Sequence, residues 1–179
     1  MASIMAMQRA LCRKERYAGG AMIIIPQVSL AGPADARGIA EMSRDYVEYG
    51  LGWSWTPSRV MKAIRDDATN VAVVRERGLV LGFGIMRYGE QKAHLTLLAV
   101  RPTERKRGLG AVLLSWLEKS ALTAGIERVQ LEARCDNPIA IAFYRDHGYA
   151  ESGTVRGYYR GEVDALRLEK GLWTVIGAG

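Results

Sequence analysis

The segment that most constrains this chain is an apolar run followed by a basic, glycine-containing loop and an amphipathic stretch. Residues 95–100 have the length and residue types of a buried strand, and Pro102 ends it because proline has no N–H for a sheet ladder. The loop holds Arg105, Gly108 and Gly110, after which apolar residues recur at helical spacing. A helix start presents unpaired N–H groups and the positive end of the helix dipole, and glycine lets a ligand approach the backbone. The order strand, loop, helix therefore predicts a diphosphate-binding loop.

Two common phosphate-binding loops do not fit this segment. A dinucleotide fingerprint has three glycines in the order GxGxxG, and this loop has two. A P-loop needs GxxxxGK followed by Ser or Thr, which is absent here. The remaining pattern is Arg-x-x-Gly-x-Gly after a strand, and an ordinary turn with glycines at a helix start is the alternative explanation for it.

Length and charge limit the function classes. The 179 residues suit one domain with a sizeable core, and we interpret 1–20 as a flexible basic N-terminal extension and 21–179 as a single domain. Lys and Arg number 25 against 19 for Asp and Glu, giving +6. This excess gathers in the extension and the glycine loop, which favours a local anion site over a nucleic-acid surface.

Apolar runs and cysteines give further expectations. No apolar run approaches the ~20 residues that span a bilayer, so we expect no membrane partner. Cys12 and Cys135 form neither a CxxC pair nor a metal-ligand spacing. We therefore expect no metal, no disulfide framework and a reducing cytoplasm.

Hydrophobic periodicity predicts a mixed sheet flanked by helices. The predicted strands cover 22–28, 70–75, 79–88, 93–101, 128–133, 149–158 and 163–168. The predicted helices cover 34–49, a segment starting at Pro57 and capped by Thr56, the segment from the glycine loop to about 124, and 138–147. Two glycines inside one strand, Gly82 and Gly84, indicate a bulge or a close neighbour.

A second motif follows the strand over 128–133. It reads Asn137-x-x-Ala140-x-x-x-Tyr144 and continues to Gly148-Tyr149. Together with the glycine loop, in this order and at about this distance, the motif resembles the GNAT superfamily of acetyl-CoA-dependent N-acyltransferases.

The resemblance is close over 93–168 and extends to 22–91 only in the order of elements. It implies an α/β (α+β) fold with a GNAT-like mixed, mostly antiparallel sheet of about six to seven strands and about four helices. Within the superfamily, the C-terminal half is most similar to the ribosomal-protein alanine N-acetyltransferase group, through Leu131-Glu-Ala-Arg134 and through Tyr158-Tyr159 after Arg156. Residues 52–57 depart from that group.

The resemblance implies an acetyl-CoA site. In the family the strand before the glycine loop parts from the next strand, and pantetheine lies in the gap. The matching backbone positions are Leu98, Ala99 and Val100. The loop positions that would hold the pyrophosphate are Arg105, Lys106, Arg107, Gly108, Leu109, Gly110 and Ala111. Asn137 matches a side chain that bonds the cofactor.

The resemblance also implies the groups that move protons. Tyr144 matches the general acid, because a phenol stays protonated at neutral pH and can donate to the leaving sulfur; a core aromatic is the alternative. Glu132 matches the general base, and a raised pKa would suit that role. A surface charge or a partner for Arg134 is the alternative for Glu132, and His94 is the second candidate base.

The acceptor is expected to be the α-amine of a peptide or protein N-terminus. Trp53, Trp55, Tyr158 and Tyr159 are the candidate acceptor-binding residues, and the segments 50–56 and 156–161 contain no carboxylate to attract a polycationic drug. A small-molecule amine acetyltransferase and a non-catalytic acyl-CoA-binding module remain alternatives. We expect a monomer or a homodimer.

Overall fold

The computed structural model describes residues 27–172, in which seven strands form one sheet. The strands are β1 (Val28–Leu30), β2 (Thr69–Glu76), β3 (Leu79–Tyr88), β4 (Ala93–Val100), β5 (Arg128–Arg134), β6 (Ala150–Tyr159) and β7 (Val163–Gly171). The four α-helices of this part are α1 (Ala36–Tyr46), α2 (Pro57–Arg65), α3 (Leu109–Thr123) and α4 (Pro138–Asp146). The extension predicted over 1–20 and most of the strand predicted over 22–28 lie outside the described residues.

The sheet has the order β1-β2-β3-β4-β5-β7-β6 and is antiparallel except between β4 and β5. This confirms the predicted mixed, mostly antiparallel sheet. The parallel pair is short, because only Ala93 with Val129 and His94 with Gln130 are in register. Beyond His94 the two strands part, and the edge of β4 that faces β5 has no strand partner.

A β-bulge in β4 lies at the point where the strands part. Ile85 of β3 pairs with Leu97, whereas the next residue, Met86, pairs with Leu95, so Thr96 is an extra residue in β4. A bulge bends its strand and changes the direction of its side chains. Leu95 consequently packs in one core and Leu97 in the other.

The two cores lie on opposite faces of the sheet. One contains α3 and α4, and the other contains α1 and α2. Helix α3 packs close to β3, since a Cβ added at Gly84 would lie 2.7 Å from Cδ1 of the fully buried Leu117. Beside Gly82, β3 holds an extra residue, Leu81, against β2. The prediction of a bulge or a close neighbour at these glycines is confirmed in both senses.

Local signals explain most element ends. Arg77 and Gly78 both have positive φ in the β2–β3 turn, as a tight hairpin requires. Thr56 caps α2 by accepting a hydrogen bond from the N–H of Arg59. Helix α1 ends at Tyr46, three residues earlier than predicted, because the carboxylate of Glu48 is held within the following loop. Among the described residues, no helix is long and apolar enough to cross a membrane.

Candidate active site

A cleft of about 420 Å³ opens where β4 and β5 part. Its walls come from the α1–α2 loop, β4, β5, α4 and the end of β6. The predicted site residues that line it are Trp55, His94, Leu98, Glu132, Asn137, Tyr144, Tyr158 and Tyr159. Residues from the strand before the glycine loop, from the second motif and from both ends of the domain thus meet in one place.

Ten other predicted residues do not line the cleft: the seven glycine-loop residues 105–111, and Trp53, Ala99 and Val100. The indole of Trp53 donates a hydrogen bond to the carbonyl of Trp55, 3.0 Å away, and the Arg44 guanidinium lies 5.5 Å from its ring centre. The Ala99 side chain is buried in the core of α1 and α2, and Val100 packs against the opposite core. The role predicted for Ala99 and Val100 concerns their backbone, which follows the bulge on the unpaired edge of β4.

Glu132 is tightly held at the bottom of the cleft. Its side chain is 4% exposed, and its Oε1 accepts hydrogen bonds from Gln130 at 2.8 Å and Arg167 at 3.0 Å. Its Oε2 lies 2.5 Å from Nε2 of His94 and 3.4 Å from the hydroxyl of Tyr158. Both carboxylate oxygens therefore have donors.

The pKa of Glu132 is lowered, and not raised as the role of general base would favour. Burial raises the pKa, but the hydrogen bonds from His94, Gln130 and Arg167 outweigh it and lower the pKa to about 2. The sequence of β5 alone indicates that Glu132 is buried. It does not indicate the three donors, which come from β4, β5 and β7. Glu132 is consequently an anion at neutral pH and a weak proton acceptor by itself.

His94 completes the pair. Because the ionised carboxylate can only accept, Nε2 of His94 carries the hydrogen that lies between them. Its other ring nitrogen, Nδ1, is then left as the acceptor in the neutral ring, 3.3 Å from the hydroxyl of Thr96. The side chain is 37% exposed and lines the cleft. The bulged residue Thr96 thus lies beside the one ring nitrogen that can take up a proton.

Tyr144 lies on the opposite wall. It is 9% exposed, and its ring makes edge contacts with Phe143 and Tyr149. Burial, assisted by the nearby Tyr159, raises the pKa of its hydroxyl above the usual range. The hydroxyl is therefore protonated at any working pH and can act as a donor. Tyr144 thus belongs to the core of α3 and α4 and also lines the cleft.

Asn137 has a structural contact as well as a place in the cleft. Its side-chain oxygen accepts a hydrogen bond from the N–H of Ala140 at 3.1 Å and so caps α4. Its amide nitrogen remains to donate to a ligand.

The glycine loop has the geometry of an anion site. Gly108 precedes α3 with a φ of 76°, and a Cβ there would meet nothing within 4 Å. The first hydrogen bond of α3 runs from the N–H of Val112 to the carbonyl of Gly108, so the N–H groups of residues 109–111 have no acceptor within the helix. Arg107 is paired with Glu104 and Glu76, which leaves Arg105 and Lys106 as the unpaired cations of this loop within the described part. These residues fit a diphosphate.

Sequence reasoning missed Glu48 and two arginines of the cleft. Glu48 is 8% exposed and accepts hydrogen bonds from the N–H of Ser54 at 2.7 Å and of Trp55 at 3.1 Å, which shapes the α1–α2 loop. Arg59 and Arg160 also line the cleft. No local pattern marks them, because each lies in a loop or turn or on an exposed helix face, where charged residues are common.

In this site the sheet parts beside a histidine–carboxylate pair and a buried tyrosine, and a glycine precedes a helix. These features define a class of acyl-transfer proteins that bind a diphosphate-containing donor. The known proteins agree with this class. The model of the acetyltransferase (GNAT) family matches residues 39–149. This chain belongs to that family, so the resemblance and the class of enzyme predicted from the sequence are confirmed.

Named relatives are similar over part of their length. N-alpha-acetyltransferase 20 of Dictyostelium discoideum is 33% identical over 71% of this chain and 69% of that protein. The ribosomal protein bS18-alanine N-acetyltransferase of Salmonella typhimurium is 37% identical over 47% of this chain, and the match spans 59% of that relative's length. The crystal structure of the Escherichia coli ribosomal-protein-S18-alanine N-acetyltransferase has a TM-score of 0.72 at 23% identity, over 87% of this chain and 98% of that one. That structure supports the fold.

Proposed function

We propose that this protein transfers an acetyl group from acetyl-CoA to the α-amine of a peptide or protein N-terminus. The observation that carries the proposal is the meeting of the His94–Glu132 pair and Tyr144 in the cleft where β4 loses its partner strand. Membership of the acetyltransferase family supports acetyl transfer. The names of the relatives support an N-terminal acceptor.

The proposed reaction needs one proton removed and one supplied. The amine nitrogen attacks the thioester carbonyl carbon, a C–N bond forms, the C–S bond breaks and the thiolate leaves. His94 Nδ1 takes the amine proton, directly or through the Thr96 hydroxyl or a water, and the Glu132 carboxylate stabilises the charged ring through Nε2. Tyr144 gives its proton to the leaving sulfur.

The acetyl-CoA would lie along two backbone features. The unpaired edge of β4 over 95–100 offers N–H and C=O groups to the amides of the pantetheine arm, and an N–H for the thioester oxygen. The N–H groups at the start of α3 face the pyrophosphate. Asn137 donates from its free amide nitrogen.

An α-amine suits this pair better than a lysine does. Its pKa is about 7.7–8.0 against about 10.4 for a lysine side chain, so a much larger fraction is neutral at pH 7. One histidine is a sufficient base for such an amine. A polycationic small molecule would need carboxylates facing the cleft, and Glu48 and Glu132 are occupied by donors of the protein itself.

The test is release of free CoA thiol with three acceptors at equal concentration. These are an Ala-starting peptide, the same peptide with a blocked N-terminus and a lysine, and an aminoglycoside. Preferential acetylation of the first is expected. Preference for the second or third would overturn the acceptor assignment, and binding of acetyl-CoA without thiol release for any amine would favour a non-catalytic binding module.

We place this reaction in the cytoplasm, in a monomer or a homodimer. The free, exposed Cys135 is compatible with a reducing compartment. If Cys135 keeps its free thiol during purification, and no oligomers form that a reductant would dissociate, this placement is supported.

A further inference from the structure

The acceptor end of the cleft is rich in arginine. Arg59 comes from α2, Arg134 from the end of β5 and Arg160 from the turn between β6 and β7. Three elements that are far apart in the sequence thus place guanidinium groups around one opening. Such a concentration of one charge points to the chemistry of the acceptor.

Two of these arginines lack a carboxylate partner. Arg134 forms a bidentate pair with Asp136 at 2.7 and 2.8 Å. Arg59 donates to the hydroxyl of Ser54 at 3.3 Å and lies 4.3 Å from the centre of the Trp55 ring. Across residues 27–172, no carboxylate oxygen lies within 4.0 Å of the charged nitrogens of Arg59 or Arg160.

The acids of the cleft are turned inward. Glu48 has its two oxygens on Ser43, Ser54 and Trp55, and Glu132 is 4% exposed and paired with Arg167 and His94. An acceptor that enters the cleft therefore meets guanidinium groups before it meets a free carboxylate.

Arg160 is held in place by the backbone. It has a φ of 57°, and its guanidinium rests on Gly52, where an added Cβ would lie 2.4 Å from the Arg160 Cζ atom. Only a glycine at position 52 leaves room for this contact. The planar guanidinium is thereby directed before any ligand binds, which lowers the entropy lost on binding.

The two unpaired arginines share the cleft with the catalytic pair, since His94, Glu132, Arg59 and Arg160 all line it. Arg160 directly follows Tyr158 and Tyr159, whose hydroxyls donate to the carboxylate and the carbonyl of Glu132. A peptide whose amine is beside His94 therefore has its first side chains in the cleft that these arginines line.

We infer that the acceptor is a peptide N-terminus with an acidic side chain at its second or third position, bound by Arg160 and Arg59. This inference rests on the proposed function and adds the substrate class. Arginine binds carboxylates through two parallel hydrogen bonds, which gives selectivity as well as attraction. Hydrogen bonds to charged groups contribute enough for a preference of roughly 10- to 100-fold in kcat/KM over a neutral isostere.

The experiment compares three peptides that carry Asp, Asn or Lys at one position and are otherwise identical. The varied position is either the second or the third residue. Each is assayed by thiol release with the full chain at low and high salt. The Asp peptide is expected to exceed the Asn peptide by roughly 10- to 100-fold, and salt is expected to reduce this ratio because it screens exposed charges. The Lys peptide is expected to be the slowest.

Arg160→Gln and Arg59→Gln are expected to bring the Asp peptide down to the level of the Asn peptide. The matched control is Arg77→Gln, because Arg77 has a φ of 49°, precedes a glycine in a hairpin turn and lies outside the cleft. It is expected to keep the full ratio. A change in melting temperature with acetyl-CoA verifies that each variant is folded.

The outcomes separate the two proposals. Equal rates for the Asp and Asn peptides, or a preference that survives both cleft substitutions, overturn the acidic acceptor and leave N-terminal acetylation intact. If no peptide is acetylated while a small amine is, the proposed function is itself wrong and this inference falls with it.

Discussion

The pair of His94 and Glu132 shows how one residue changes what another can do. Glu132 matches the position of a general base, yet its hydrogen bonds lower its pKa to about 2. An acid that is always ionised cannot take up the amine proton efficiently, since the driving force for that transfer is small. It can hold a neighbouring histidine in one tautomer and stabilise its charged form.

The rate plateau and its pH dependence distinguish these roles. The charged and titratable groups around the pair are Arg167, Tyr158 and the acceptor amine. In wild type, log kcat/KM is expected to fall on the acid side, because the amine must be neutral to attack. His94→Gln is expected to lower the plateau about 10²- to 10⁴-fold.

Glu132→Gln provides the comparison. Because Glu132 is ionised throughout the working range, its loss is expected to lower the rate at every pH. A plateau in His94→Gln equal to that of wild type would return the role of base to Glu132.

Tyr144 is the second residue with a testable role. Tyr144→Phe keeps the ring contacts with Phe143 and Tyr149 but removes the proton donor. It is expected to lower kcat about 10²- to 10⁴-fold while acetyl-CoA binds as before. Tyr88→Phe is the control, because Tyr88 is a partly buried tyrosine outside the cleft whose hydroxyl accepts from Asn70. Single-turnover rates equal to wild type in Tyr144→Phe would remove it from the mechanism.

The sequence could predict the residues that belong to local motifs and could not predict those brought in by tertiary structure. Glu132, Asn137 and Tyr144 lie within thirteen positions of one another, and their spacing identifies them. Arg160 and Gly52 are in contact across more than a hundred positions, and no periodic pattern connects them. The donors that lower the pKa of Glu132 come from three strands, so this pKa could not be inferred from its own segment.

At the scale of elements, the strand–loop–helix unit is the part that the sequence describes best. Each end has a local cause: Pro102 after β4, Gly108 before α3 and Gly125 after it, with φ values of 76° and 80° at the two glycines. The bulge in β4 is different, because Leu95, Leu97 and Leu98 give apolar residues on both faces of the strand. Such a run is compatible with either register, and only pairing with β3 decides between them.

Gly108 tests whether the start of α3 binds a phosphate. Saturating acetyl-CoA at about 100 times its Kd is expected to stabilise the wild type by about 2.7 kcal/mol, or roughly 5–10 °C in Tm for a chain of this size. Gly108→Asp is expected to abolish this shift by adding negative charge. Gly108→Asn has the same shape, tolerates the left-handed backbone and is expected to keep a shift. Equal shifts in the two variants would place the diphosphate elsewhere.

For the whole molecule, the parted sheet leaves one strand edge open inside the fold. Strand β2 has partners on both sides, whereas β4 beyond His94 has a partner only in β3. Every second N–H group of that part of β4 therefore faces the gap. A bound molecule that pairs with these groups would complete the ladder.

Hydrogen exchange measures this directly. On addition of acetyl-CoA, the amides of 95–100 that face β5 are expected to exchange more slowly, because a ligand pairs with them. The amides of β2 over 71–74, already paired on both sides, are expected to change little by comparison. Equal slowing in both strands would indicate global stabilisation without contact along β4.

Thr96, the extra residue in β4, belongs to neither core and contacts His94 instead. If residue 96 were deleted, Leu95 and Leu97 would become neighbours in an ordinary strand. They would keep their present partners, Met86 and Ile85, and each would keep its own core. The fold can therefore do without this residue, while the cleft loses the hydroxyl beside His94 and the bend that turns β4 away from β5. Deleting Thr96 is therefore expected to remove part of the site while both cores keep their residues.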